Sequence, residues 1–287
     1  MKTTKALIDL LHLDTLDSHT FSGQSVTIGS AIVFGGQVLA QAVNAAYRTI
    51  PKNRFLHSLH SYFLEAGDLE LPIEYAVAEM RNGGSFSTRR VTASQHGKTI
   101  FILAASFHKK EEGFEHQIEM SSTLKQPEEL LSWEDMASKF GNFLPKSTKS
   151  FLSIERPIDF KPIEIQNPLD PKNLPAKEEV WFKLKGEIPE MDVPLKHQLL
   201  TYISDYNVLN AAFKPNGKNY SFANTMTASL DHSMWFFRDF DFKDWLLFSA
   251  ESPNTYGARG LVKGNIFTRN GKLIASFAQE GLLRPKK

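Results

Sequence analysis

The chain has 287 residues, a formal net charge of +1 and no cysteine; 41% of its residues are hydrophobic and 23% are charged. That balance suits a globular protein with a sizeable core and supplies no overall field for nucleic acid or an anionic membrane surface. The missing cysteines rule out disulfides, cysteine metal sites and a cysteine nucleophile. No apolar run is long enough to span a bilayer, the first twenty residues lack the apolar centre of a signal peptide, and the final Leu-Arg-Pro-Lys-Lys is not a peroxisomal address of the Ser-Lys-Leu type. A cytoplasmic protein is expected.

Periodicity and turn signals predict the following elements. A strand opens the chain's first unit near Gln24–Phe34, and a helix rich in small residues follows from Gly35 to Tyr47. Strands then fall near Arg54–Leu64, Leu71–Met80, Ser85–Gln95 and Lys98–His108. A polar stretch over 111–177 carries prolines at 157, 162, 168, 171 and 175 and reads as an ordered connector with at most a short helix around Trp133–Phe140. A second series opens near Val180–Leu184 and continues with a helix over Leu199–Phe213. Its strands fall near Asn224–Phe237, Trp245–Glu251, Ala258–Thr268 and Lys272–Leu283.

The two series look like copies of one unit. Asn44-Ala45-Ala46-Tyr47 matches Asn210-Ala211-Ala212-Phe213. Ser58-Leu59-His60-Ser61-Tyr62-Phe63 resembles Ser229-Leu230-Asp231-His232-Ser233-Met234-Trp235-Phe236. Phe86-Ser87-Thr88-Arg89 resembles Tyr256-Gly257-Ala258-Arg259, and Gly97-Lys98-Thr99-Ile100 resembles Gly271-Lys272-Leu273-Ile274. The order is the same in both halves. The expected organisation is a repeat over 1–110, a connector over 111–177 and a second repeat over 178–287. Each repeat is an α+β layer with one helix against a largely antiparallel sheet.

Three polar residues of the second repeat are candidates for chemistry. Asp205 falls mid-helix, where aspartate has neither good helix propensity nor a capping role; a solvent-facing turn or a kink accounts for it equally well. Gln279 alternates onto the face of Ala275 and Phe277, where an amide needs partners; a core glutamine bonded to backbone satisfies the same pattern. Ser229 shares a face with Thr225, Thr227 and Asp231, which by itself describes a solvated strand. In the matched positions of the first repeat stand Leu39, Ala105 and Ser58. Two of the three polar groups thus face apolar counterparts, as expected of one working site per chain.

On these residues the chain resembles the acyl-CoA thioesterase II family, which has a double hotdog fold. The most specific stretches are Phe34-Gly35-Gly36-Gln37, His57-Ser58-Leu59-His60-Ser61-Tyr62-Phe63-Leu64, Gly84-Ser85-Phe86-Ser87-Thr88-Arg89-Arg90-Val91, Ser204-Asp205-Tyr206, Ser229 to Phe236 and Gln279-Glu280-Gly281. The resemblance implies two fused hotdog repeats, a catalytic set of Asp205, Ser229 and Gln279, an acyl-CoA substrate, and assembly into a homo-oligomer, a dimer or tetramer. The family's hydroxyl position holds Ser here rather than Thr, which keeps donor and acceptor but loses a methyl that restricts the rotamer.

In the hydrolysis this implies, Asp205 takes a proton from water that Ser229 and Gln279 position, with no covalent intermediate. A backbone N–H of Gly36 or Gln37 at a helix N-terminus is a candidate oxyanion donor. No Gly-x-Ser-x-Gly elbow surrounds Ser229, which disfavours an acyl-serine. Arg89, Arg90 and Arg259 are candidates for CoA phosphates, though exposed strand charges read equally well. His57 is a candidate for lining a site. With His60 three residues on, it is expected on the opposite face of its strand, and His232 is expected to pack near Trp235. The histidines show no zinc spacing, and neither a metal nor another cofactor is expected. A non-catalytic acyl-CoA sensor and a hotdog enoyl-CoA hydratase remain rival readings; the adjacent Asp231 and His232 should point to opposite faces, against the hydratase.

Overall fold

The computed structural model describes residues 1–286. The first part of the chain forms α1 (Thr4–Leu10), β1 (Asp14–Thr15), β2 (Thr20–Gly23), α2 (Gly35–Tyr47), β3 (Arg54–Phe63), β4 (Ile73–Asn82), β5 (Phe86–Gln95) and β6 (Lys98–Lys109). The middle holds α3 (Trp133–Phe140), α4 (Lys146–Leu152) and β7 (Ile158–Pro162). The last part forms β8 (Lys177–Leu184), α5 (Val193–Ser204), α6 (Asn210–Phe213), β9 (Thr225–Ser229), β10 (Asp231–Phe236), β11 (Leu246–Tyr256), β12 (Arg259–Thr268) and β13 (Leu273–Pro285).

All strands join one antiparallel sheet in the order β1-β2-β4-β5-β6-β3-β10-β13-β12-β11-β8-β7, with β9 also on β13. The seam between the halves is β3 against β10, where Leu59 lies opposite Met234 and Tyr62 opposite Asp231. On either side of that seam a helix packs against antiparallel strands, and α2 and α5 also pack on each other. Helix α2 is therefore buried nearly all round: Val38 to Val43, Ala45 and Ala46 are buried, and Leu39 is fully so. Its alanines let sheet and partner helix approach closely, and the apolar area they remove from water supports the pairing at roughly 25 cal/mol per Å².

Strands β3 to β6 and β8 to β13 fall where patterning placed them. The strand expected over Gln24–Phe34 does not form; the pairing strand is the earlier Thr20–Gly23, on β4. Local bonding competes with the ladder there: Thr27 Oγ1 donates to the Ser30 carbonyl at 2.7 Å and accepts from the Gly29 N–H at 2.9 Å, with Gly29 at φ +100°. The connector is richer than expected, with two helices and an edge strand. Ser132 and Asp135 cap α3 reciprocally, and Ile158, Phe160 and Pro162 alternate inward along β7 on the edge beside β8. Proline tolerates such an edge position, so it did not end the pairing.

The most consequential departure lies in the second helix. It does not run unbroken over Leu199–Phe213 but stops at Ser204, so Asp205 is the residue just past its end rather than mid-helix. The Ser204 hydroxyl reaches back to the Thr201 carbonyl at 2.8 Å, and Asn207 takes a left-handed φ of +53°, a conformation asparagine tolerates better than most residues. A further short turn, α6, then resumes at Asn210.

Candidate active site

The helix break turns the Asp205 carboxyl toward the start of α2. A side chain on Gly36 would collide with the carbonyl of Tyr202, and a Cβ on Gly35 would lie 2.7 Å from Asp205 Oδ2. Both glycines are thus required by close approach. The first N–H groups of α2 have no partner within the helix and carry its positive dipole end, a favourable place for a carboxylate. Phe34, just before α2, packs on Tyr202 and Tyr206 with ring centroids 5.2 and 4.7 Å away, and this aromatic cluster excludes water from one side.

Ser229 and Gln279 reach the same carboxyl from the sheet. Ser229 Oγ donates to Asp205 Oδ1 at 3.3 Å, and Gln279 Nε2 donates to Ser229 Oγ at 2.9 Å. Gln279 lies on the inward face of β13 with Ala275 and Phe277, as alternation predicts, and is only 1% exposed. The face assigned to Ser229 needs correction. Its register on β13 shifts by one between Ser229, opposite Gly281, and Ser233, opposite Ala278. Ser229 and His232, three apart, therefore both turn inward, whereas Asp231 accepts from the Glu280 N–H at 2.7 Å and is only half-buried.

Burial pushes the Asp205 carboxyl up to about 7; Gln279, Ser229 and the Gly36 N–H, in that order, pull it down without cancelling the loss of water. A carboxyl poised there passes between acid and base near neutral pH, as proton transfer to and from water requires.

Other expected site residues are placed differently. Arg89 is 1% exposed and fully engaged within the fold: it donates to Thr49 Oγ1 and carbonyl, the Arg81 and Thr88 carbonyls and Asn82, beside Glu79 at 3.5 Å. It has no donor left for a phosphate. Arg259 is half-exposed and pairs with Glu280 at 3.0 Å, next to Gln279 in the chain. His57 bonds Ser106 Oγ at 2.8 Å and packs on Phe86 on the outward face of the sheet, away from Asp205. A bulge between Leu56 and Ser58 brings His57 and His60 to that same face, not to opposite ones. His60, not His232, packs on Trp235, at 5.4 Å. The Gln37 N–H is bonded to the Phe34 carbonyl at 3.0 Å, whereas the Gly36 N–H points into the site and is bonded to the Asp205 carboxyl.

His232 was not foreseen here. It is fully buried, with Nδ1 on Gln279 Oε1 and Nε2 2.9 Å from Ser204 Oγ. The signal was present in the alternation His232, Met234, Phe236, a histidine on an otherwise apolar face. Among the described residues no group of three or more His, Asp and Glu is placed to hold a metal ion. An apolar groove of about 720 Å³, lined by Trp133, Met136, Phe151, Phe222, Asn207 and Asn210 among others, opens beyond the helix break, and none of the three polar residues is in its walls.

Comparison with known proteins decides the family. A family profile described as acyl-CoA thioesterase matches residues 147–282, and one described as acyl-CoA thioesterase N-terminal domain matches residues 23–108. The chain is 41% identical to acyl-CoA thioesterase 2 of Haemophilus influenzae over 97% of its own length and 96% of that protein's. It belongs to the acyl-CoA thioesterase II family. Human acyl-coenzyme A thioesterase 8 is 36% identical, with 96% of this chain and 88% of that one covered. The crystal structure of acyl-CoA thioesterase II TesB2 from Mycobacterium marinum superposes with a TM-score of 0.77 at 34% identity, over 97% of this chain and 98% of that one. The fold is the double hotdog, and this thioesterase is an enzyme, an acyl-CoA thioester hydrolase, rather than a sensor or a hydratase.

Proposed function

We propose that the chain hydrolyses acyl-CoA by direct attack of water, with Asp205 as general base and Ser229 and Gln279 holding the water. The observation that supports this best is the buried Asp205 carboxyl near pKa 7, met by two side-chain donors and a helix N-terminus. Water bound among Asp205, Ser229 and Gln279 gives a proton to Asp205 as its oxygen bonds to the thioester carbon. The carbonyl oxygen takes the negative charge, and the Gly36 N–H, bonded to Asp205 in the resting site, turns to it as Asp205 becomes protonated and a weaker acceptor. Collapse breaks the carbon–sulfur bond, and Asp205 returns the proton to the departing CoA thiolate. The products are a free acid and CoA, and fixed geometry supplies much of the rate.

Arg259 is the remaining candidate for a CoA phosphate, since it is half-exposed and held only by a surface pair to Glu280, the residue after Gln279. The proposed setting is cytoplasmic fatty-acid and lipid metabolism. No described helix is long and apolar enough to cross a membrane. The proposed assembly is a homo-oligomer, dimer or tetramer, with the two repeats of each chain supplying one working site.

Thiol release from acyl-CoAs of short to long chain, read with a thiol-reactive dye, tests the assignment. The protein has no cysteine to add background. Wild type should release thiol, and a folded Asp205→Asn variant should lose nearly all of that activity; a near-normal rate in the variant would remove Asp205 from the mechanism. Acyl transfer to Ser229, detected by mass spectrometry after rapid quenching, would replace the direct route by a covalent one.

A further inference from the structure

Gln279 can do its work in only one orientation. Its amide has a donor end and an acceptor end of nearly the same shape. With Nε2 toward Ser229 it donates, and it lowers the Asp205 pKa. Turned over, it would set a carbonyl oxygen against a hydroxyl already committed to a carboxylate, and it would repel that carboxylate. Something must hold the amide the right way round, and the group at its other end is His232.

His232 closes a ring of bonds around the site. Its Nδ1 meets Gln279 Oε1 and its Nε2 meets Ser204 Oγ, the residue directly before Asp205. Following the bonds gives Asp205, Ser229, Gln279, His232, Ser204 and, through one peptide unit, Asp205 again. The imidazole is fully buried, parallel to the Phe277 ring, and its two nitrogens meet Gln279 and Ser204. A neutral imidazole has a single N–H, so the two ends of the ring cannot both donate.

We propose that His232 is a positioning residue for the thioester hydrolysis: its proton sits on Nδ1, is donated to Gln279 Oε1, and so fixes the amide with its NH₂ toward Ser229 and Asp205. This role presupposes the assignment of Asp205, Ser229 and Gln279 made above. The Gln279 amide, with Oε1 on Nδ1, requires this tautomer, and Ser204 must match it. Its one hydroxyl proton has three acceptors in reach, the Thr201 carbonyl at 2.8 Å, His232 Nε2 at 2.9 Å and Met234 Sδ at 3.1 Å. When that proton goes to Nε2, the ring proton must be on Nδ1. If it went to the Thr201 carbonyl, Nε2 would carry the ring proton, Nδ1 would be bare, and the Gln279 amide would turn its donor away from the carboxylate. Burial pushes the imidazole down to about 4, so the ring stays neutral and the choice of tautomer persists throughout the neutral range.

The test combines kinetics with a direct look at the ring. His232→Leu removes the donor, while His232→Asn places an amide N–H close to where Nδ1 was. His232→Leu should lower kcat at least about tenfold with KM changed less than about threefold, and His232→Asn should recover most of the loss, as expected when only the geometry of a held group is disturbed. In a Gln279→Ala background, His232→Leu should cost almost nothing further, because its effect passes through Gln279. Equal losses in both backgrounds, or a folded His232→Leu enzyme with near-normal kcat, would overturn the role. Should His232→Leu not fold, nitrogen NMR of the histidine-labelled wild-type protein decides: a proton on Nδ1 supports the proposal, and a proton on Nε2 overturns it. A Gln279→Ala enzyme with normal activity would instead refute the catalytic assignment itself, and the role of His232 with it.

Discussion

The two repeats share a scaffold and differ in what they do with a buried glutamine. In the first, Gln41 sits fully buried and is satisfied by the fold: its amide donates to the carbonyls of Leu10 and Gln24, and its oxygen accepts from Tyr75 at 2.7 Å. No carboxylate is in that network. In the second, Gln279 is bonded only to side chains, Ser229 and His232, and the chain of bonds ends on the buried carboxyl of Asp205. The first arrangement stabilises a core, because every polar group has a fixed partner. The second leaves a proton acceptor near neutral pKa and donors that a water molecule can share. The helices are of nearly equal length, thirteen residues in α2 and twelve in α5, so Asp205 falls at the C-terminal end of its helix and does not correspond to Leu39, which lies in the first half of α2. The first repeat still contributes, because the glycine-rich start of α2 forms the wall opposite the carboxyl. In the proposed assignment one repeat keeps the core and lends its helix end, and the other carries the chemistry.

The comparison can be broken from either side. The largest effect is expected from Asp205→Asn, which removes the base: kcat should fall by about 10²–10⁴-fold, in the range measured for general-base groups, with the circular dichroism spectrum unchanged. Gln279→Ala and Ser229→Ala each remove a positioning contact and should lower kcat by about 10–100-fold, whereas Ser229→Thr, which keeps the hydroxyl, should stay within about threefold of wild type. Steady-state kinetics on one acyl-CoA separates these. Gly35→Ala presses a methyl on the Asp205 carboxylate and should cost about tenfold in kcat with a smaller loss of stability.

Placing an aspartate inside the helix of the first repeat, by Leu39→Asp, should create no second site. It buries a charge without donors and should lower stability by at least about 3 kcal/mol, read by urea denaturation.

A smaller and opposite effect is expected in the stability of Asp205→Asn. The folded carboxyl has its pKa raised from an unfolded value of 3.8 to about 7. Its contribution is therefore full below the unfolded pKa and is lost as pH rises through about 7, where a buried charge must form. The variant should match wild type near pH 4 and be the more stable of the two at pH 8, by at most about 4 kcal/mol. Thermal unfolding at the two pH values checks the sign.

Much of this was legible in the residues. The repeat emerged from short matches in the same order, and alternation placed Gln279 inward because β13 alternates regularly from Ala275 to Leu283. What was not legible came from irregularity. A one-residue shift at Leu230 turned Ser229 and His232 to the same side, and a bulge at His57 did the opposite of what strict alternation assigned to the two histidines of β3. Helical spacing ran through Asp205 because nothing in Tyr206-Asn207-Val208 forbids a helix; tertiary packing of Asp205 against the start of α2 decides where the helix ends. Arg89 looked available because burial of a guanidinium depends on five acceptors brought from distant turns, which no local pattern reveals.

The most direct test of the account is the pH profile of kcat/KM, which reports groups titrating in the free enzyme and free substrate. An acyl-pantetheine substrate removes the titrating phosphates of CoA. Tyr202 and Tyr206 beside Asp205 are pushed to ionise far above neutrality and His232 down to about 4, so Asp205 is left as the group of this cluster that titrates near neutral pH. The account predicts a rate that falls with unit slope below about pH 7 and levels off above it. A rate that is flat from pH 5 to 8, or that rises as pH falls, would contradict Asp205 as the base.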